Sequence, residues 1–114
     1  MNRQPQIFTS ELYQLLRLGE IEEFNARIAS GETINLQGAN LRGSDLRGLD
    51  ADNLDFTDAY FRQADLRGLD LRNCKLEGAS IHNAHISGTY FPENISSAEI
   101  MMSLQYGTRM RCNK

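Results

Sequence analysis

Along the middle of the chain, large apolar residues return at every fifth position, a spacing that belongs to neither a helix nor a flat strand. From residue 34 to 93 the sequence divides into twelve groups of five: INLQG, ANLRG, SDLRG, LDADN, LDFTD, AYFRQ, ADLRG, LDLRN, CKLEG, ASIHN, AHISG and TYFPE. The third places read Leu36, Leu41, Leu46, Ala51, Phe56, Phe61, Leu66, Leu71, Leu76, Ile81, Ile86 and Phe91, all large and apolar except Ala51. First places are small or apolar, running from Ile34 and Ala39 through Cys74 to Thr89. Fifth places are Gly, Asn or Asp except at Gln63 and Glu93. Extending the frame puts Gly31 or Ser96 at the central place, so the repeat has definite ends.

A helix repeats at 3.6 residues and a strand at 2.0, so neither keeps the third of every five residues on one side. A short extended piece does place its first and third residues on one face. A tight turn must then follow, and a fifth residue tolerant of positive φ suits the third position of a type II turn. Four such corners close a square of twenty residues, so the repeat segment stacks as three coils about 4.8 Å apart. At that spacing the inward columns become Leu36/Phe56/Leu76, Leu41/Phe61/Ile81, Leu46/Leu66/Ile86 and Ala51/Leu71/Phe91. Small Ala51 sits beside Leu49, and large Phe91 beside Thr89, an exchange of volume that suits a close-packed interior.

A bare stack of coils exposes apolar cross-sections and open strand edges at both ends. The flanks read as covers for them. Thr9 or Ser10 is placed to cap a helix carrying Leu12, Leu15 and Leu16 and ending at Gly19. A second helix is expected from Glu20 to about Ala29, with Ile21, Phe24 and Ile28 on one face and Gly31 as its stop. Beyond the repeat, Ser96 and Glu99 form a capping-box pair opening a helix through Ile100, Met101 and Leu104 to Gly107. Thr108 to Lys114 reads as a tail, frayed or docked. The expected organisation is one domain over 1–114: a helical cap over 1–33, twelve repeats over 34–93, and a helix and tail over 94–114.

Chain length, 114 residues, suits a single domain. A net charge of −3 argues against a basic nucleic-acid binder, so direct nucleic-acid binding is not expected. No apolar stretch approaches the roughly 20 residues of a membrane span. The opening MNRQPQIFTSELYQ lacks the apolar core of a signal peptide, and two cysteines are too few for a disulfide scaffold. A cytoplasmic location follows as the expectation.

The repeat resembles the pentapeptide-repeat family, whose consensus is A(D/N)LXX; ANLRG, SDLRG and ADLRG match it almost letter for letter. The resemblance spans 60 of 114 residues. It implies an all-β solenoid, a right-handed quadrilateral β-helix of three coils, here capped by short N-terminal helices and one short C-terminal helix. Departures are local: Leu49, Leu54 and Leu69 replace the usual Ala, Ala51 replaces Leu or Phe, and Tyr60, Lys75, His85 and Tyr90 replace Asp or Asn.

Candidate chemistry lies at the outward places. Seven second places are Asp or Asn, and Arg42, Arg47, Arg62, Arg67 and Arg72 occupy fourth places. With no cleft to desolvate them, these read as a solvated lattice of Asp–Arg neighbours rather than acid–base pairs. Arg42, Arg47, Arg62 and Arg67 make a candidate surface patch. His82 and His85 flank one corner without an evident third ligand, so no metal site is assigned. Cys74 reads as a small core hydrophobe and Cys112 as an unactivated thiol. No catalytic triad, phosphate loop or Cys-x-x-Cys is present, so no enzyme activity and no cofactor are expected. The leading reading is a small bacterial-type protein-interaction module, partner unknown. The resemblance supplies an alternative, a DNA-mimic modulator of DNA gyrase or topoisomerase. Three coils reach only about 15 Å, and nine Asp/Glu stand against six Lys/Arg, so mimicry would call for an end-to-end dimer. Homodimerisation could run through Leu12, Leu16 and Phe24, or through Met101 and Leu104.

Overall fold

At every fifth residue from Leu36 to Ile86, a third-place carbonyl accepts the N–H three residues ahead, from Ala39 at 3.1 Å to Thr89 at 3.0 Å. Each such bond closes a corner. The residue before the donor carries the left-handed backbone that a type II turn requires, as at Gly68 (φ 74°), Asn53 (φ 66°) and Gln63 (φ 59°). At Gln63 the closed coil imposes this conformation on a residue with no intrinsic taste for it, at a cost of about 1–2 kcal/mol. Asn73 is the exception among the fifth places between Gly38 and Gly88, with no positive φ.

In this computed structural model, which describes residues 10–113, successive coils pair in parallel at a separation of twenty residues. The pairs are Asn40 with Tyr60, Asp45 with Asp65, Asp55 with Lys75, Tyr60 with Ser80, Asp65 with His85, and Asp70 with Tyr90. Leu41 N–H donates to the Tyr60 carbonyl at 2.8 Å, and Tyr60 N–H donates to the Ala39 carbonyl at 2.9 Å. Four five-residue segments therefore separate each residue from the one stacked on it. The all-β expectation needs correcting in one respect. Among the described residues these are isolated bridges, and no continuous strand forms, because a corner after every five residues leaves one paired residue per side. The regular elements are helices: α1 (Glu11–Leu18), α2 (Ile21–Ala29) and α3 (Ser97–Tyr106).

The inward columns fill as the spacing predicts. Leu36, Leu41, Leu46, Phe56, Phe61, Leu66, Leu71, Leu76 and Ile81 are all buried, and the Phe56 and Phe61 rings meet edge to face at 5.1 Å. Ile86 and Phe91, expected in the same core, are only half-buried. They lie on the last coil, where the cover is partial. The twelfth group also departs from the rest: Ile95 N–H donates to the Pro92 carbonyl, one residue out of step with the earlier corners.

α1 starts at Ser10, whose hydroxyl accepts the Tyr13 N–H, and stops at Gly19 in the left-handed region. Thr9, the other candidate cap, lies outside the described residues, as does the start of the opening segment. α2 runs to Ala29 with Ser30 as its cap, and Gly31 (φ 107°) stops it as expected, its N–H on the Ile28 carbonyl and the Glu32 N–H on the Arg27 carbonyl. The hairpin is latched to the first coil by Tyr13 Oη on the Asn40 carbonyl (2.6 Å) and by Asn25, which bonds both Gly48 O and Asp50 N. Leu12, Leu16 and Phe24 are buried in this contact, so they are not available as a dimer face. α3 opens with Ser96 accepting the Glu99 N–H, but the reciprocal half of the expected capping box is absent. The Glu99 carboxylate instead takes the backbone N–H and guanidinium of Arg111. The tail is docked: Met110 is fully buried.

Candidate functional site

The outward residues have a structural duty that the pattern alone did not reveal. At Asn35, Asn40, Asp45, Asp50, Asp55, Asp65 and Asp70, the side-chain oxygen accepts the backbone N–H two residues on. Each closes an Asx turn over the corner that follows. The preference for Asp or Asn at the second place is thus a backbone requirement first.

Where the second-place residue is Asp and the fourth is Arg, a bidentate ion pair is added. Arg47 Nη2 lies 2.8 Å from Asp45, Arg67 Nη2 2.6 Å from Asp65, and Arg72 Nη2 2.8 Å from Asp70. Arg47 also reaches Asp65 of the next coil at 3.3 Å. The hydrogen-bonded Arg67 guanidinium holds the Asp65 carboxyl down at about 2, and Arg72 does the same for Asp70. These are ordinary consequences of charge pairing at a half-wet surface.

The predicted patch therefore splits. Arg47 and Arg67 belong to this neutralised lattice. Arg42 and Arg62 do not, since Asn40 and Tyr60 stand two residues before them and supply no negative charge. Among the described residues neither guanidinium forms an ion pair.

His82 and His85 sit at neighbouring corners, and among the described residues no cluster of three His, Cys, Asp or Glu is placed to hold a metal ion. Both cysteines line one cleft of about 190 Å³ between the third coil and the tail. Cys74 is buried and donates to the Ala51 carbonyl at 2.9 Å, and burial pushes its thiol up to about 12. Burial likewise raises Cys112, so both remain protonated near neutrality.

Three residues outside the repeat emerge as important only here. Ser103 of α3 accepts the buried Ile81 N–H at 3.0 Å. Met110 exchanges hydrogen bonds with Ala79 and Gly78 of the last coil. Arg109 bonds Gly78 O at 3.0 Å, pairs with Asp58 at 3.3 Å, and lies over the Tyr60 ring, strapping two coils together. No local periodicity marks these residues, because they act on chain far away in sequence.

α3 leaves Met101, Met102 and Tyr106 exposed, with Tyr106 at 75%. Among the described residues no helix is long and apolar enough to cross a membrane. No curated protein and no solved structure matches the chain. The family profile for pentapeptide repeats matches residues 34–63 and 55–91, with eight copies of the repeat. Those are the residues whose corners and bridges build the coil stack, and the chain belongs to the pentapeptide-repeat family.

Proposed function

We propose that this protein is a non-enzymatic interaction module, built as a right-handed quadrilateral β-helix that presents its outer surface and its C-terminal end to a protein partner. The observation that carries the reading is the exposed apolar side of α3. Met101 and Met102 are 47% and 40% exposed at the end of the stack where Ile86 and Phe91 are also incompletely covered. Apolar surface gathered in one place marks contact sites in soluble proteins. A second copy of this chain is one candidate occupant, since Met101 remains free where Leu12, Leu16 and Phe24 do not. The DNA-mimic alternative is the weaker reading, because Arg47, Arg67 and Arg72 each cancel a carboxylate that mimicry would need.

The test is capture from the native host with the intact chain, beside the Met101→Glu/Met102→Glu variant, with sedimentation of both. A specific partner, or a dimer, that is lost in the variant supports the reading. Inhibition of DNA gyrase supercoiling at low-micromolar protein overturns it in favour of mimicry.

A further inference from the structure

One side of the stack has no Asp or Glu among its own residues, and Asp58 at its corner is taken up by Arg109. This side is built from the groups 39–43, 59–63 and 79–83, which the Asn40–Tyr60 and Tyr60–Ser80 bridges place in register. Its outward residues are Asn40, Tyr60 and Ser80 at second places and Arg42, Arg62 and His82 at fourth places. The register puts Arg42, Arg62 and His82 in a single file along the stacking axis, stepping by about 4.8 Å. At the foot of the file, Arg17 of α1 donates to the Arg42 carbonyl and to Ser44 Oγ, adding a third guanidinium. At its head, the His82 ring is half-buried against Gly107, with Nδ1 enclosed.

The neighbouring side is different in kind. There Arg47 and Arg67 face Asp45 and Asp65, and the charges cancel. The side made by groups 49–53, 69–73 and 89–93 is acidic, with Asp50, Asp52, Asp70 and Glu93 against Arg72. Among the described residues Arg42 and Arg62, neither of them in an ion pair, thus stand together on one strip of a protein of net charge −3, while Lys75, the other cation of the repeat without an ion pair, lies beside Asp55 on a different side.

We infer that the strip Arg17–Arg42–Arg62 is a docking site for an acidic helix of a protein partner, an inference that rests on the interaction-module reading. The spacing fits. Carboxylates at i and i+4 of a helix stand about 5–6 Å apart, close to the step of the file. Guanidinium groups recognise carboxylates through paired hydrogen bonds, and Arg is enriched in binding hot spots. Nucleic acid fits less well. Three cations on a net-negative chain neutralise few phosphates. The aromatic ring on this side, Tyr60, already carries the Arg109 guanidinium 5.0 Å from its centre, so its face is not free for a base.

The probe is an alanine-based helical peptide of about twenty residues with Glu at every fourth position, its helicity checked by circular dichroism. Binding to the full chain is followed by fluorescence anisotropy at low and physiological salt. Arg42→Gln/Arg62→Gln should weaken it by about tenfold or more, a loss of about 1.4 kcal/mol, while Arg47→Gln/Arg67→Gln leaves it unchanged. The charge-swapped Arg42→Glu/Arg62→Glu chain should bind the same peptide carrying Lys in place of Glu, which excludes misfolding as the cause of any loss. Equal binding by wild type and Arg42→Gln/Arg62→Gln overturns the inference. So does tighter binding of an oligothymidylate of equal charge, which would make the strip a nucleic-acid contact. Either failure is separable from the module reading, whose readout is host-protein capture through α3.

Discussion

The two ends of the coil stack are closed by different physics. At the N-terminal end the α1–α2 hairpin supplies apolar mass: Leu16 and Phe24 are completely buried, and Leu12, Tyr13 and Ile21 nearly so. At the C-terminal end α3 fully buries only Ser103 and the tail buries one large apolar side chain, Met110, so that most of what the two contribute is hydrogen bonding. The last coil's upward-facing donors find Met110 O (from Gly78), Ser103 Oγ (from Ile81) and the Leu104 carbonyl (from Asn83). An open solenoid edge presents both apolar side chains and unpaired backbone groups, and each cap here answers mainly one of the two. The hairpin end is consequently sealed. The α3 end keeps Ile86 and Phe91 half-exposed and leaves Met101 and Met102 out, whereas at the hairpin end Leu18 is the one large apolar side chain left exposed among the described residues.

The hardest test of that contrast is Phe24→Ala. It should lower stability by about 3–5 kcal/mol, because the ring is enclosed between the hairpin and the first coil. Chemical denaturation measures it, and a loss below about 1 kcal/mol would mean the hairpin is not a true seal. Next comes the middle of the stack. Leu66→Ala should cost about 2–5 kcal/mol, since coils above and below prevent collapse onto the cavity. Arg67→Ala, one residue on and outward, should cost under about 0.5 kcal/mol; equal losses would overturn the inward–outward assignment.

At the C-terminal end the informative change is small in volume. Ser103→Ala removes one oxygen and leaves the Ile81 N–H buried without its acceptor, at about 1–3 kcal/mol. Ser103→Cys, a weaker acceptor of similar size, should fall between the two. If Ser103→Ala is silent, the end is not held by polar satisfaction. The smallest effect concerns the ion-pair lattice. Asp65 titrates at about 2 in the folded chain against an ordinary 3.8, so its contribution is present above about 3.8 and lost as pH falls toward 2. Because the paired arginines are half-exposed, the stability lost across that window should be slight. An NMR titration of Asp65 checks it: Arg67→Gln should return the midpoint toward its ordinary value.

Much of this was legible in the sequence because it is local. A corner every five residues needs a residue tolerant of positive φ, and Gly68, Gly78 and Asn83 sit where the count places them. Core residues from Leu36 to Ile81 follow from alternation within one short segment, and the Gly19 and Gly107 stops from helix-ending chemistry. Even the division of the arginine patch was written there, since Asp45 precedes Arg47 by two residues and Asn40 precedes Arg42. The capping-box expectation at Glu99 failed because Arg111, twelve residues away, is a stronger partner than a backbone N–H at the helix start.

By itself, then, the sequence determined the coil: its period, its inward columns, its corners and its family, all of which depend on residues at most five apart or at a fixed multiple of five. Tertiary structure alone decided how the coil ends. Whether Leu16 seals the first layer, whether Met110 docks on Gly78 and Ala79, and whether Ile86 stays half-exposed depend on chain segments brought together from different parts of the sequence. Such contacts leave no periodic trace, because each is made once, against a surface that exists only after the coils have stacked.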